Sequence, residues 1–235
     1  MTENESVARD VAPRIKSPLL AIDTSSEQGA IALIHKMQVS FRSWPAGRSH
    51  TTSLLSEIHC LLAMASLDVS DLQGIGIAIG PGTFTGLRAG FGVAKGFHLA
   101  TGVPLIGIST LEATALPYAP TRLPIVATLG AGRKRLVWST FTPGESGRFQ
   151  STPPRNGTVG ELADELAAMD ECVVAGELDE EQAARLSALP HVGIPAAALR
   201  VRNPAAFAAL LQQKFLLQEL ADPAAIEPIY LSRGA

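Results

Sequence analysis

The spacing of apolar positions changes along this chain in a way that marks out its elements. After a polar opening, three short apolar runs follow closely at 19–22, 30–34 and 38–41. The first ends at Asp23-Thr24-Ser25-Ser26, and the short gaps between the runs predict an antiparallel meander. From His50 to Leu67 the period becomes helical, with Leu54, Leu55, Ile58, Leu61, Leu62 and Ala65 on one face. Residues 75–79 are apolar throughout, as expected of a strand covered by helices on both faces. A helix is expected from about Thr85 to Ala100, stopped by Thr101-Gly102 with Pro104 beyond. Residues 105–108 read as the next strand, and Ser109 as the cap of a helix reaching about Leu116.

The first 118 residues thus read β-β-β-α-β-α-β-α, a mixed sheet with crossover helices in the α/β class. Pro117, Pro120 and Pro124 form a hinge. Strand signals resume at 125–128, 136–141 and 172–175, with helices expected at 158–168, 179–188 and 204–220, so the second half resembles a degraded copy of the first. The expected division is a disordered leader at 1–17, an N-terminal domain at 18–118 and a C-terminal domain at 119–235.

Composition narrows the class. Hydrophobic residues supply 46% of 235 positions, too many for intrinsic disorder. The 19 basic and 22 acidic residues give a net charge of -3, which provides no global attraction to nucleic acid or an anionic membrane and leaves room only for a local basic patch. Cys60 and Cys172 are too few for a disulfide framework and read as reduced core residues. No apolar stretch approaches the roughly 18 residues of a membrane span, and the first 17 residues lack the apolar core of a signal peptide. The expected compartment is the cytoplasm.

The chemistry concentrates in two places. Gly80-Pro81-Gly82-Thr83-Phe84-Thr85-Gly86-Leu87-Arg88 lies between a buried strand and a helix, where free N–H groups and the helix dipole favour an anion. The same glycines equally suit a tight packing turn, and the stretch is neither a Walker A loop nor a dinucleotide fingerprint. Asp23, Thr24 and Ser25 suit a hydrated metal or a phosphate, or purely local Asx and Ser/Thr turns. Candidate nucleotide or phosphate residues are therefore Asp23, Thr24, Ser25, Gly80, Gly82, Thr83, Thr85 and Gly86. The five histidines show no ligand spacing, and no metal or catalytic residue is assigned. Arg133-Lys134-Arg135 is the one basic triplet, either a solvated turn or a contact for nucleic acid or a phosphate.

Leu20-Ala21-Ile22-Asp23-Thr24-Ser25, the glycine motif at 80–88 and Pro104-Leu105-Ile106-Gly107-Ile108-Ser109-Thr110-Leu111 together resemble the TsaB (YeaZ) family, in order and spacing, over residues 18–116. The closing Pro228-Ile229-Tyr230-Leu231 agrees as well. The resemblance implies an actin/Hsp70/sugar-kinase-like (ASKHA) fold with two β-β-β-α-β-α-type domains. It implies a non-catalytic dimerisation and scaffold subunit in making N6-threonylcarbamoyladenosine at position 37 of bacterial tRNA. Such a subunit activates a TsaD-type catalytic paralogue beside a TsaE-type ATPase, has no cofactor of its own, leaves ATP and Mg²⁺ to the complex, and touches tRNA mostly through its partners. The paralogue binds metal through His-x-x-x-His, whereas the matching stretch here, Ser109-Thr110-Leu111-Glu112-Ala113-Thr114-Ala115, has no histidine.

By the same resemblance, the helices at 50–66 and 85–100 meet a partner or a second copy. The expected interface residues are His50, Leu54, Glu57, Arg88, Gly90, Phe91, Gly92 and Lys95. Gly86, Gly90, Gly92 and Gly96 each cost about 1 kcal/mol in a helix interior, which argues for close approach, either of another helix or of the chain's own sheet. The chain departs from the family at Leu129-Gly130-Ala131-Gly132-Arg133-Lys134-Arg135, where an Asp-Ala-Arg segment with a following Glu is usual. The alternative reading is a metal- and nucleotide-dependent enzyme of the same fold, a small kinase or a peptidase-like protein.

Overall fold

The structure, a computed structural model, describes residues 18–45, 50–144 and 148–230, so the expected leader lies outside the described residues. The first sheet holds β1 (Leu19–Asp23), β2 (Gln28–His35), β3 (Gln38–Pro45), β4 (Gly74–Gly80) and β5 (Leu105–Ser109), in the order β3-β2-β1-β4-β5. β1, β2 and β3 form the antiparallel meander that their short gaps require, and β4 and β5 add in parallel. Parallel neighbours need crossovers. These are α1 (His50–Met64), between β3 and β4, and α2 (Phe84–Thr101), between β4 and β5. Both lie on one face, where Leu54, Ile58, Leu61 and Phe91 pack against Leu20, Ile22, Ile75 and Ile77. Gly102 ends α2 in the left-handed region, φ 74°, and its N–H donates to the His98 carbonyl.

Ser109 caps α3 (Thr110–Ala115), its hydroxyl accepting from the Glu112 N–H. The second sheet follows with β6 (Ile125–Gly130), β7 (Arg135–Pro143), β8 (Phe149–Ser151) and β9 (Arg155–Thr158). Then come α4 (Val159–Ala167), β10 (Cys172–Gly176), α5 (Glu180–Ser187) and β11 (Val192–Gly193). Its order, β11-β10-β6-β7-β8 with β9 also on β7, mirrors the first sheet: a central strand, an antiparallel hairpin on one side and parallel strands on the other. The repeat suggested by the sequence is therefore real at the level of strand order. α4 and α5 cover one face through Leu162, Leu166 and Leu186, and α3 covers the other through Leu111 and Ala115. Ala113, on the same short helix, packs into the first lobe's core, so α3 is the wedge between the two sheets.

The last helix, α6 (Pro204–Leu216), returns to the first sheet. Phe207, Leu210, Leu211 and Phe215 cover Leu19, Ala21, Ile106 and Ile108 on the face that α1 and α2 leave bare. The sequence expectation placed 119–235 in one unit, but here the helix near its end is part of the first lobe's core. The segment after it bonds to both parallel strands: the Ala221 N–H donates to the Leu105 carbonyl on the β5 edge, and the Ile229 N–H to the Ile79 carbonyl near the end of β4. Leu55, expected on the buried face of α1, is exposed, because the sheet receives only the Leu54–Ile58–Leu61 side of the helix. Cys172 is buried as expected, with burial pushing its thiol pKa up, whereas Cys60 is only half-buried. Among the described residues, no helix is long and apolar enough to cross a membrane.

Candidate functional site

Two surfaces hold the residues that the sequence singled out: the cleft between the lobes and the outer face of α1 and α2. The cleft encloses about 870 Å³ and is lined by Asp23, Ser25, Gly82 and Thr83 on one side and Gly130 and Glu177 on the other, among others. Its floor is the turn that ends β1. Asp23 Oδ1 accepts from the Ser25 N–H at 3.0 Å and from the Ser25 hydroxyl, the local Asx arrangement. Its other oxygen, Oδ2, lies 3.3 Å from Arg202 Nε, with the two side chains 9% and 11% exposed. Arg202 also donates to Ser25 Oγ at 2.9 Å and lies 3.8 Å from Glu177 Oε1 at the end of β10. The Thr24 hydroxyl donates to the Gly86 carbonyl at 2.7 Å.

The expected phosphate residues thus come together, but most of their polar groups are already committed within the chain. The carboxylate that would hold a hydrated metal is paired with a guanidinium, which occupies the cation's electrostatic role. Gly82 and Gly86 serve close packing: a Cβ on Gly82 would overlap the Ser25 carbonyl, and one on Gly86 the Thr24 carbonyl. Gly80 sits at φ 103° where the Ile229 carbonyl passes, and Thr83 and Thr85 are exposed at the start of α2. Among the described residues, no group of three or more His, Cys, Asp or Glu side chains is arranged to hold a metal ion.

Nothing in the sequence pattern singled out Arg202 or Glu177. They belong to no motif, and only the return of α6 brings residue 202 beside residue 23. Glu177 also supplies a carboxylate to the edge where the sequence had lost its acidic groups, since its Oε2 accepts from the Gly130 N–H at 3.0 Å. The basic triplet sits in the β6–β7 turn. Arg133 and Lys134 have positive φ, Lys134 pairs with Glu181 on an exposed surface, and Arg135 donates to Asn156.

The outer helical face differs from the expected interface in its composition. Leu54, Gly90 and Phe91 are buried in the chain's own core, because α1 and α2 must bury one side against the sheet. A Cβ on Gly90 would stand 2.5 Å from Thr24 Oγ1. Glu57 pairs with Arg42 of β3. His50 opens α1, and its side chain lies outside the described residues. Arg88, Gly92 and, in part, Lys95 face outward. Gly92 and Gly96 have nothing within 4 Å of an added Cβ, so no contact among the described residues accounts for them.

Around that small-residue stripe lie Phe84, 52% exposed, and Leu99, 84% exposed. The Arg88 guanidinium stacks on the Phe84 ring at 3.9 Å, and Phe84 packs on Tyr230 at 5.1 Å. Beside the stripe, Leu55, His59, Leu62, Ala63, Val69 and Phe97 line an apolar groove of about 280 Å³. An exposed helix pair with an apolar groove, a glycine stripe and two cations is chemically suited to another helical surface.

Residues 44–224 match the family model described as TsaD, tRNA N6-adenosine threonylcarbamoyltransferase. The chain is 31% identical over 133 residues to the tRNA threonylcarbamoyladenosine biosynthesis protein TsaB of Escherichia coli, covering 55% of this chain and 57% of that protein. It is 37% identical over 97 residues to TsaB of Haemophilus influenzae, covering 41% of each. The matched region spans about half the length of these curated relatives. Among solved structures, YeaZ from Pseudomonas aeruginosa superposes with a TM-score of 0.74 at 22% identity, covering 92% of this chain and all of that one, which shows a common fold.

Proposed function

The chain belongs to the TsaB/YeaZ family, within the family whose tRNA N6-adenosine threonylcarbamoyltransferase model it matches, and on that premise we propose that it is a docking subunit of tRNA threonylcarbamoyladenosine synthesis. It pairs through the outer face of α1 and α2 with a TsaD-type catalytic paralogue and activates it without performing the transfer. The observation that carries this reading is the open Gly92–Gly96 stripe. Two glycines in a helix interior cost about 1 kcal/mol each, packing among the described residues offers no return for them, and close approach of a second helix does. Three further features support it. The face is apolar and bears Arg88 and Lys95, the Asp23 carboxylate is committed to Arg202, and the stretch 109–115 has no histidine.

ATP and Mg²⁺ then serve the complex and its TsaE-type ATPase, and tRNA is held mostly by the partners. A second copy takes the same helical face when the paralogue is absent. Co-purification of tagged chain with the paralogue tests this reading: a stoichiometric complex is expected, and no association in any nucleotide state would sink it.

The enzyme reading has one observation in its favour, the 870 Å³ cleft, which is roomy enough for a nucleotide. Calorimetry of the isolated chain with ATP and Mg²⁺ separates the two. Weak or absent binding without turnover is expected, and tight binding with turnover would favour the enzyme.

A further inference from the structure

Arg202 reaches farther than its own lobe. It leads into α6, it is nearly buried, and its three partners belong to different places: Asp23 and Ser25 at the end of β1, and Glu177 at the end of β10. The turn it grips is also the seat of α2. The Thr83 N–H, at the N-terminus of that helix, donates to the Ser25 carbonyl at 2.7 Å, and the Thr24 hydroxyl donates to the Gly86 carbonyl at 2.7 Å. Gly82, Gly86 and Gly90 are bare of Cβ where they meet Ser25 and Thr24. An unbroken series of polar contacts therefore runs from Glu177 in the second lobe, through Arg202 and the Asp23–Thr24–Ser25 turn, to the first two turns of α2.

We propose that Arg202 is a positioning residue that ties the second lobe to the helix carrying the outer face, so that the state of the cleft sets the placement of the first turns of α2. A buried guanidinium with two carboxylates is a poor source of net stability, because desolvation offsets much of the attraction, but it is strongly directional. Opening the cleft separates Glu177 from Asp23, and Arg202 then keeps only the partners on one side. Any ligand or partner that moves the lobes thereby moves the Ser25 carbonyl and the Thr24 hydroxyl, which hold Thr83 and Gly86. Two states that differ in these contacts are what coupling between separate sites requires. This inference rests on the docking reading only where it speaks of partner affinity; the mechanical link stands by itself.

The test uses the full chain with Arg202→Met and Arg202→Lys, and Glu177→Gln as a variant that leaves Arg202 and Asp23 in place. Circular dichroism and thermal melting first establish which variants fold. Hydrogen exchange is then read by segment. In Arg202→Met, exchange in the segment spanning Thr83–Gly90 is expected to rise about tenfold, with α4 and α5 unchanged. Arg202→Lys restores part of the protection, since a single ammonium reaches fewer partners than the guanidinium fork. Glu177→Gln gives a smaller rise in the same segment.

Increased exchange confined to residues 200–204, with α2 as in the wild type, would overturn the proposal, as would equal exchange in Met and Lys variants. Affinity for the paralogue is measured in parallel and is expected to fall roughly tenfold in Arg202→Met. If α2 loosens while Gly92→Arg leaves pairing intact, the docking reading fails and the mechanical link stands. If Gly92→Arg abolishes pairing while Arg202→Met leaves α2 protected, the link fails and the docking reading stands.

Discussion

Gly86 and Gly92 share one helix and meet opposite surroundings. Gly86 lies against the Thr24 carbonyl, where a methyl group has no room without moving backbone. Gly92 faces open space. Gly86→Ala is therefore expected to destabilise the fold by about 1–3 kcal/mol through overpacking. Gly92→Ala is expected to be neutral or to stabilise it by up to about 1 kcal/mol through helix propensity. Urea denaturation of the two variants checks the pair, and equal effects would contradict the assignment. The sequence showed four glycines on α2 but not which side each one faced. That depends on how the helix is rolled against the sheet, which Leu87, Phe91 and Ala94 decide by being buried. The same rotation explains why Phe91, plausible as an interface residue by position, is a core residue here, and the corresponding roll of α1 buries Leu54. Asp23 was legible as special. Its partner was not, because Arg202 is nearly the whole chain away and carries no motif.

At the scale of elements, local signals did well where the cause is local. The helix of α4 starts at a capping box in which the Thr158 hydroxyl accepts from the Glu161 N–H and Glu161 Oε2 accepts from the Thr158 N–H. The Thr158 backbone N–H, and then its hydroxyl, hold the Glu161 carboxyl below its ordinary value of 4.5. A depressed carboxylate contributes stability above the unfolded-state value and loses it as pH falls through the folded one. The acid limb of the melting temperature should therefore be shallower in Glu161→Ala than in the wild type. A parallel limb in both proteins would show that the box does not contribute. The antiparallel meander, the apolar β4 and the Ser109 cap were all readable for the same reason: short gaps, period and cap chemistry are properties of neighbouring residues. The destination of α6 was not readable. An apolar helix near the chain's end fits either sheet, and only the bare face of the first sheet, left by α1 and α2, determines where it goes.

The whole molecule is two sheets with one strand order, separated by the wedge α3 and crossed by the Asp23–Arg202–Glu177 contacts. The fold has the outline of a two-lobed clasp around a cleft, yet the polar groups at the cleft floor are spent on one another. The unspent chemistry is outside, on and beside α1 and α2: an apolar groove, Gly92 and Gly96, and the stack of Arg88 and Phe84 with Tyr230 from the segment after α6. On that contrast rests the docking role proposed above. The most direct measurement is the dissociation constant between this chain and the TsaD-type paralogue for wild type, Gly92→Ala and Gly92→Arg, each verified to be folded. The docking account predicts near-wild-type affinity for Gly92→Ala. For Gly92→Arg it predicts a loss of at least about thirtyfold, the size of a hot-spot substitution of about 2 kcal/mol. Undiminished affinity in Gly92→Arg would contradict it.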